Sequence, residues 1–203
     1  MSRIGKKPIP VPSGVKVELG DHTVKTSGPK GQLSWRYPDG ISVEYDPAAS
    51  LIRVTRLDDA PRIRALHGLT RALIANMVQG VNQGYEKKLE IYGTGYGCQV
   101  KGGQLLLNCG FIGRTVGGGE QKEAQFYIDI PEGLTVTVEV PTARGNTEPA
   151  KLTVQGASKQ QVGEFAAELR SIRPPEPYQG KGIRYAGEHI RRKQGKAFAS
   201  GGA

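Results

Sequence analysis

Histidine and cysteine are the side chains best suited to chemistry in this chain, and there are few of them. They are His22, His67, His189, Cys98 and Cys109. None has carboxylate or cysteine companions at metal-ligand spacing. We therefore expect packing or surface roles for the histidines, and no catalytic residue, metal or cofactor. The cysteines could meet across a hairpin, but a small buried role in a reducing compartment is favoured.

A glycine-rich run, Gly93-Thr-Gly-Tyr-Gly97, resembles a phosphate-binding loop. It is not GxGxxG, and a short strand rather than a helix is predicted after it, so the helix dipole of a dinucleotide site is missing. Walker and GxSxG motifs are absent from the sequence. The pattern favours a kinked or bulged strand where backbones approach closely, with backbone contact to a phosphate as the lesser alternative.

The last thirty-one residues, which begin at Arg173, combine features that suit RNA and carry a net charge of +5. Their prolines hold the backbone extended, and the glycines on either side of Lys181 allow close backbone approach. Two tyrosines offer flat faces for base stacking, and arginine offers a fork for phosphate oxygens. The candidate RNA-binding residues are Arg173, Pro177, Tyr178, Gly180, Lys181, Gly182, Arg184, Tyr185, Arg191, Arg192, Lys193 and Lys196. A disordered solubility tail is the simpler alternative, but it would have no use for the interleaved prolines, glycines and tyrosines.

The excess of positive charge lies at the two ends of the chain. The 203 residues carry a net charge of +9 and give a pI near 9.6. The first sixteen residues contribute +4, and residues 17–172 are neutral. A neutral body with basic ends is typical of a folded protein that presents arms to a polyanion. Arg3, Lys6 and Lys7 are therefore further candidates for RNA contact, although a frayed terminus explains them equally well.

A membrane is a weaker candidate partner than a nucleic acid. No apolar run approaches the roughly 20 residues that a bilayer span needs, and no apolar stretch follows the N-terminal cations as in a secretory signal. No predicted basic amphipathic helix carries large apolar anchors. We expect a cytoplasmic protein without a membrane partner.

Alternating apolar residues in the first half predict five short strands and then a helix. The strands are expected at Val15–Leu19, His22–Thr26, Gln32–Arg36, Ile41–Tyr45 and Leu51–Arg56. The apolar face of the helix is expected to comprise Ile63, Leu66, Leu69, Leu73 and Met77. Asp58 or Asp59 is expected to cap this helix, and Gly80 to end it.

The second half repeats the plan. Its strands are expected at Lys87–Tyr92, Tyr96–Lys101, Gln104–Cys109, Phe126–Ile130, Leu134–Val140 and Lys151–Gln155. Ser158 is expected to cap a helix whose apolar face comprises Val162, Phe165, Ala166, Leu169 and Ile172. Leu51–Thr55 matches Lys151–Gln155, and Gly40–Val43 matches Gly133–Val136.

This repeat predicts an α+β fold of two tandem similar domains, each a mostly antiparallel sheet packed against one helix, with a basic extended C-terminal tail. The predicted segments are an N-terminal domain with its basic arm at 1–82, a second domain at 83–175 and a basic extension at 176–203.

At Arg173–Tyr185, RPPEPYQGKGIRY, the chain strongly resembles the signature of the bacterial large-subunit ribosomal protein six family. Ser2–Val15, Lys25–Leu33, Asn76–Gly97 and Val100–Phe111 also resemble that family. The resemblance covers nearly the whole chain in the same order. Gln179 stands where the signature usually has lysine. The loops at Gly113–Lys122 and Thr142–Pro149 look longer than is common in the family.

The resemblance implies a structural constituent of the large ribosomal subunit that binds large-subunit (23S-type) ribosomal RNA. It implies a position near the sarcin–ricin loop and the stalk base, beside neighbouring ribosomal proteins and close to where translational GTPases dock. The glycine-rich loop, Tyr92, Gly93, Gly95 and Gly97, is then a further candidate RNA contact. Replacing Lys181 and Arg184 with alanine is expected to weaken RNA binding while leaving thermal stability nearly unchanged.

Two alternatives remain open from the sequence. One is a standalone RNA chaperone or assembly factor, which would not migrate stably with mature subunits. The other is an enzyme that uses the Gly93–Gly97 loop for a phosphorylated ligand, which would show saturable nucleotide binding without its tail.

Overall fold

The computed structural model describes residues 4–111, 124–145 and 147–194. The chain forms two compact units. The first comprises Met1–Tyr85 with Gly156–Val162, and the second comprises Glu86–Gln155 with Gly163–Ala203. Helices and antiparallel strand pairs occur in both units, so the predicted α+β class with two similar domains is confirmed. The boundaries proposed at residues 82 and 175 stay predictions.

The first unit contains two three-stranded sheets and one helix. The strands are β1 (Ile9–Pro10), β2 (Lys16–Gly20), β3 (Thr23–Gly28), β4 (Gly31–Arg36), β5 (Ile41–Asp46) and β6 (Leu51–Arg56), and the helix is α1 (Pro61–Gln83). The sheet orders are β1-β6-β5 and β2-β3-β4. Inward residues alternate along the strands as a half-buried sheet requires, with Val24, Ile41 and Ile52 among those in the core.

The buried face of α1 agrees with the predicted one in part. Of the predicted residues, Met77 is buried, Ile63 and Leu66 are half-buried against the core, and Leu69 is 51% exposed. The fully buried residues are His67, Thr70, Ile74, Met77, Val78, Gly80 and Val81. Two of these are polar, which an apolar pattern does not indicate. His67 is accommodated because its Nε2 lies 2.9 Å from the carbonyl oxygen of Val54.

Both predicted ends of α1 are wrong. Ala60 occupies the N-cap position without a side-chain hydrogen bond, and the carboxylate of Asp59 pairs with Arg56. At the other end the helix continues through Gly80 to Gln83, and Gly84 caps it by donating its N–H to the Gly80 carbonyl at 2.8 Å. Gly80 has a packing role, since an added Cβ would collide with the carbonyl oxygen of Ala157.

The second unit carries a three-stranded sheet, a four-stranded sheet and most of the second helix. The strands are β7 (Tyr85–Tyr92), β8 (Gly97–Lys101), β9 (Gln104–Asn108), β10 (Phe126–Asp129), β11 (Leu134–Val140), β12 (Ala150–Gly156) and β13 (Gly182–Tyr185), and the helix is α2 (Lys159–Ile172). The sheet orders are β10-β9-β8 and β11-β12-β7-β13.

Helix α2 confirms the prediction from its sequence. The Ser158 Oγ accepts a hydrogen bond from the Gln161 N–H at 3.3 Å, which is the expected N-terminal cap. Val162, Phe165, Ala166 and Leu169 are buried, and Ile172 at the last turn is half-buried.

Candidate nucleic-acid interface

The most informative part of the site is β13, a strand that the sequence analysis did not predict. Gly182–Tyr185 pairs antiparallel with β7, and Ile183 lies opposite Ile91. Ile183 is 1% exposed, and its N–H donates to the Arg173 carbonyl at 2.7 Å. A four-residue strand that begins with glycine shows too little alternation to be recognised. This part of the candidate segment is therefore part of the folded unit.

Gly182 occupies a position that excludes any side chain. Its φ is +132°, and an added Cβ would lie 2.6 Å from the Pro174 carbonyl oxygen and 2.8 Å from that of Arg173. The glycine thus lets the chain fold back on itself before it enters the sheet. Close backbone approach was predicted here, but the partner is the protein's own backbone.

Arg184 is turned into the protein. Its guanidinium carbon lies 3.5 Å from the centroid of the Tyr92 ring, and its Nε lies 3.8 Å from a Glu90 carboxylate oxygen. In the sheet register Gly182 faces Tyr92, so no side chain competes with the arginine for that ring. Only 15% of the Arg184 side chain is exposed. The expectation that Arg184 could be removed without loss of stability is therefore revised.

The side chain of Arg173 also packs against aromatic rings of its own unit. Its guanidinium carbon lies 4.6 Å from the Phe111 ring centroid and 5.7 Å from that of Tyr96. Such cation–π contacts stabilise most when they are shielded from water. Arg173 and Arg184 thereby connect the C-terminal segment to the glycine-rich loop, two regions that are about eighty residues apart in sequence.

The glycine-rich loop is a turn between β7 and β8 rather than a kinked strand. Gly93 has φ +145°, and an added Cβ would lie 2.6 Å from the buried ring of Tyr96. The Gly93 N–H donates to the Gly145 carbonyl and the Tyr96 N–H to the Gly93 carbonyl, both at 3.2 Å. Gly97 is half-buried against Pro141, whereas Gly95 is exposed. The loop leaves space for the ring of Tyr96, and the N–H groups of Gly93 and Tyr96 already donate hydrogen bonds within the protein.

A compact turn presents the exposed part of the segment. The Glu176 N–H donates to the Lys181 carbonyl at 2.9 Å, and the Gly180 N–H donates to the Glu176 carbonyl at 3.1 Å. Tyr178 at the tip is 55% exposed. The Lys193 N–H then donates to the Pro177 carbonyl at 2.8 Å. This last bond brings the cations near the end of the described chain back to the turn.

The backbone of Arg191–Lys193 thus lies beside the turn that carries Tyr178 and Lys181, and we call this group of residues the cationic surface. It consists of Tyr178, Lys181, Arg191, Arg192 and Lys193, of which Lys181 is half-buried and the others are exposed. Within residues 173–194 the only acids are Glu176 and Glu188, and both are occupied. Glu176 accepts the Gln179 N–H at 2.8 Å, and Glu188 binds Arg170. The cations of the surface have no carboxylate partner among the described residues.

Arg170 and Glu188 are site residues that the sequence analysis missed. Two Arg170 nitrogens contact the Glu188 carboxylate at 2.5 and 3.1 Å, and the Tyr185 N–H donates to it at 3.0 Å. The hydrogen bond from Arg170 lowers the pKa of Glu188, and the same bond raises the pKa of Arg170. Tyr185 also has cations over its ring, with Lys87 Nζ 5.6 Å from the centroid. No local sequence signal marks this pair, because Arg170 lies on a helix and Glu188 lies in a later turn.

The N-terminal candidates belong to the first unit. Lys6 and Lys7 are exposed, and the Lys7 carbonyl accepts a hydrogen bond from Arg71 Nε at 3.1 Å. An added Cβ at Gly5 would lie 2.5 Å from His67 Nδ1, so this arm runs close against α1. Arg3 and Lys196 lie outside the described residues, as does the predicted loop at Gly113–Lys122. Of the other loop, Arg144 and Glu148 form a bridge with an ion pair at 4.0 Å.

The cysteines are buried thiols. Both are free, and burial raises the pKa of Cys98 and of Cys109 to about 12. A thiol with so high a pKa is a poor nucleophile and metal ligand at neutral pH. Within the described ranges, no group of three or more histidine, cysteine or acidic side chains could hold a metal ion. Nor does this part of the chain contain a helix long and apolar enough to span a membrane.

Comparison with known proteins gives the family. The model of the family described as Ribosomal protein L6 matches residues 11–84 and 122–186. The large ribosomal subunit protein uL6 of Synechococcus sp. (strain RCC307) is 47% identical over 196 residues, which is 97% of this chain and 98% of that protein. The uL6 protein of Syntrophomonas wolfei subsp. wolfei is 47% identical over 197 residues, again 97% of this chain and 98% of that protein.

The chain belongs to the ribosomal protein L6 family. It is a structural, non-enzymatic protein of the large ribosomal subunit and is located in the cytoplasm as part of that particle. The resemblance recognised at Arg173–Tyr185 is thereby confirmed.

Proposed function

We propose that the cationic surface is where this chain contacts large-subunit ribosomal RNA, near the sarcin–ricin loop and the base of the stalk. Neighbouring ribosomal proteins at the stalk base and translational GTPases would then lie close by. The observation that carries the proposal is the Lys193 N–H to Pro177 carbonyl hydrogen bond, which assembles cations from two parts of the sequence. The location follows from the family resemblance of the Arg173–Tyr185 signature.

The chemistry of the surface suits an RNA backbone. Lys181, Arg192 and Lys193 have no carboxylate partner among the described residues, so their charges can neutralise phosphates. The exposed ring of Tyr178 offers a face on which an unpaired base can stack. Arg173 and Arg184, which were predicted as direct contacts, act instead by holding the segment in place. Arg3, Lys6, Lys7, Lys196 and the glycine-rich loop remain predicted contacts.

Salt-dependent RNA binding tests the surface. Arg192→Ala with Lys193→Ala is expected to weaken binding of the full chain to large-subunit RNA and to reduce the slope of log affinity against log salt by about 0.7–0.9 per lost contact. The matched control is Arg53→Ala with Lys25→Ala, which removes one exposed arginine and one exposed lysine of the first unit. Equal slopes for the double variant and the control would overturn the proposed surface.

A tethered cleavage reagent tests the location. Tyr178→Cys places a reactive thiol on the cationic surface, while Cys98 and Cys109 are shielded by burial. In reconstituted large subunits, an iron chelate attached at this position is expected to cleave RNA in the sarcin–ricin loop and stalk base. The control is Lys25→Cys, on an exposed position of β3. Cleavage elsewhere from position 178 would refute the location and leave the RNA-binding surface to the salt experiment.

A further inference from the structure

Arg170 and Glu188 lie beside the cationic surface and are well placed to fix it. Arg170 belongs to the last turn of α2, and Glu188 lies between β13 and the cations at Arg191–Lys193. Their side chains are partly shielded, at 33% and 23% exposed. The pair therefore ties the chain just before those cations to a rigid helix.

The contacts of Glu188 are more than a single ion pair. One carboxylate oxygen accepts from Arg170 Nη2, and the other accepts from both Arg170 Nε and the Tyr185 N–H. The Glu188 N–H in turn donates to the Tyr185 carbonyl at 3.0 Å, across Gly187 with φ +76°. Bidentate arginine–carboxylate pairs fix geometry as well as distance. The turn that redirects the chain after β13 is thus defined at four points.

The direction set by this turn determines where the cations lie. Five residues after Glu188, the Lys193 N–H reaches the Pro177 carbonyl. The guanidinium of Arg192 lies beside Gly180, where an added Cβ would be 3.4 Å from one of its nitrogens. If the turn at Glu188 were free, the same cations would sample many positions and would lose entropy on binding RNA.

We propose that Arg170 and Glu188 are positioning residues for RNA binding, which clamp the chain so that Arg191–Lys193 meet Tyr178 and Lys181 on one surface. This inference rests on the proposed function of that surface. It assigns an acidic side chain a favourable part in binding a polyanion.

That assignment yields a test in which charge and positioning predict opposite results. Glu188→Gln makes the chain more positive, so charge alone predicts tighter binding to large-subunit RNA. Loss of the clamp predicts weaker binding, by about fivefold to tenfold if 1–1.4 kcal/mol of ordering is lost. The matched control is Glu164→Gln on the exposed side of α2, which changes the charge equally and is expected to bind as tightly as the unaltered chain or more tightly.

If Glu188→Gln unfolds, a variant that leaves the net charge of the chain unchanged provides a second test. Arg170→Lys preserves the charge but removes the two-pronged contact, so it too is expected to weaken binding and to increase amide hydrogen exchange at Lys193. Binding by both variants as tight as that of Glu164→Gln would overturn the clamp.

The Arg192→Ala, Lys193→Ala variant separates the two ideas. If it weakens binding and the clamp variants do not, the positioning inference alone fails. If it has no effect, the proposed surface fails.

Discussion

The two units are built from the same pair of sheets and one helix, and they differ by one strand. The order β5-β6-β1 in the first unit corresponds to β11-β12-β7 in the second, and β2-β3-β4 corresponds to β8-β9-β10. In the second unit β13 lies beside β7, whereas among the residues that the structure describes β1, which has two residues, ends its own sheet. The cationic surface therefore begins where the internal repeat ends. The sheets of the second unit provide the support, and the residues proposed to bind RNA lie before and after the added strand.

Removing the anchor of β13 should have the largest effect. Ile183 is 1% exposed, so Ile183→Ala is expected to lower the free energy of unfolding by about 2–5 kcal/mol, through lost burial and the cavity left behind. Ile4 in the first unit is 59% exposed, and Ile4→Ala should change the free energy of unfolding by less than about 0.5 kcal/mol. Urea unfolding measures both. Similar small effects would mean that β13 is not part of the core.

The backbone at the start of the added strand gives the next largest effect. Gly182→Ala must place a Cβ against two carbonyl oxygens at φ +132°, so a loss of more than about 2 kcal/mol is expected. Gly187 has φ +76° but open space around it, and Gly187→Ala should cost only about 1 kcal/mol. Thermal unfolding of the two variants compares them. An equal loss would show that close approach at Gly182 contributes nothing beyond its φ.

Two cations of the segment, Arg184 and Lys181, are expected to have different roles. Arg184 stabilises the fold, and Lys181 contributes to RNA binding. Arg184→Ala is expected to cost about 1–2 kcal/mol of stability, because it removes a shielded stack on Tyr92. Lys181→Ala should change stability by less than about 0.5 kcal/mol and reduce the salt slope of RNA binding by about 0.7–0.9. Denaturation and binding of each single variant are the measurements. A reversed pattern would contradict the assignment of inward and outward cations.

The smallest effect concerns pH. The folded state lowers the pKa of Glu188 below its ordinary value of 4.5, so this carboxylate stabilises the fold above pH 4.5 and loses that contribution as the pH falls through its lower folded pKa. The protection of the Tyr185 amide, whose N–H donates to Glu188, is measured against the intrinsic exchange rate at the same pH and is expected to fall over this acid range. Glu188→Gln should remove this fall in protection. Its persistence in that variant would assign it to another group.

Local pattern predicted most elements, and tertiary contacts decided the rest. β6 and β11 have the predicted bounds, and α2 buries the predicted face, because alternation or helical spacing there is backed by turn and cap residues. For α1 the pattern was incomplete, because His67 and Thr70 are buried through tertiary packing and Leu69 is exposed. β13 was missed because Ile183 depends on a partner strand about ninety residues earlier in the sequence.

The candidate site was predicted in composition but not in orientation. The sequence shows that Arg173, Arg184 and Lys181 are cations, but it cannot show which of them meet aromatic rings from distant strands. Aromatic partners at Phe111 and Tyr92 turn two of them inward. Arg170 and Glu188 were missed for the same reason, since an ion pair between a helix and a later turn leaves no local signature.

The place of β13 at the end of its sheet has a consequence for the chain before it joins a ribosome. An edge strand can recruit the edge of another molecule, and such pairing leads to aggregation. β13 limits this risk because it has only four residues, begins with a glycine that cannot take a side chain, and is preceded by Lys181 and a proline-rich stretch. The same residues that suit an RNA partner would thus keep newly made copies of the protein apart.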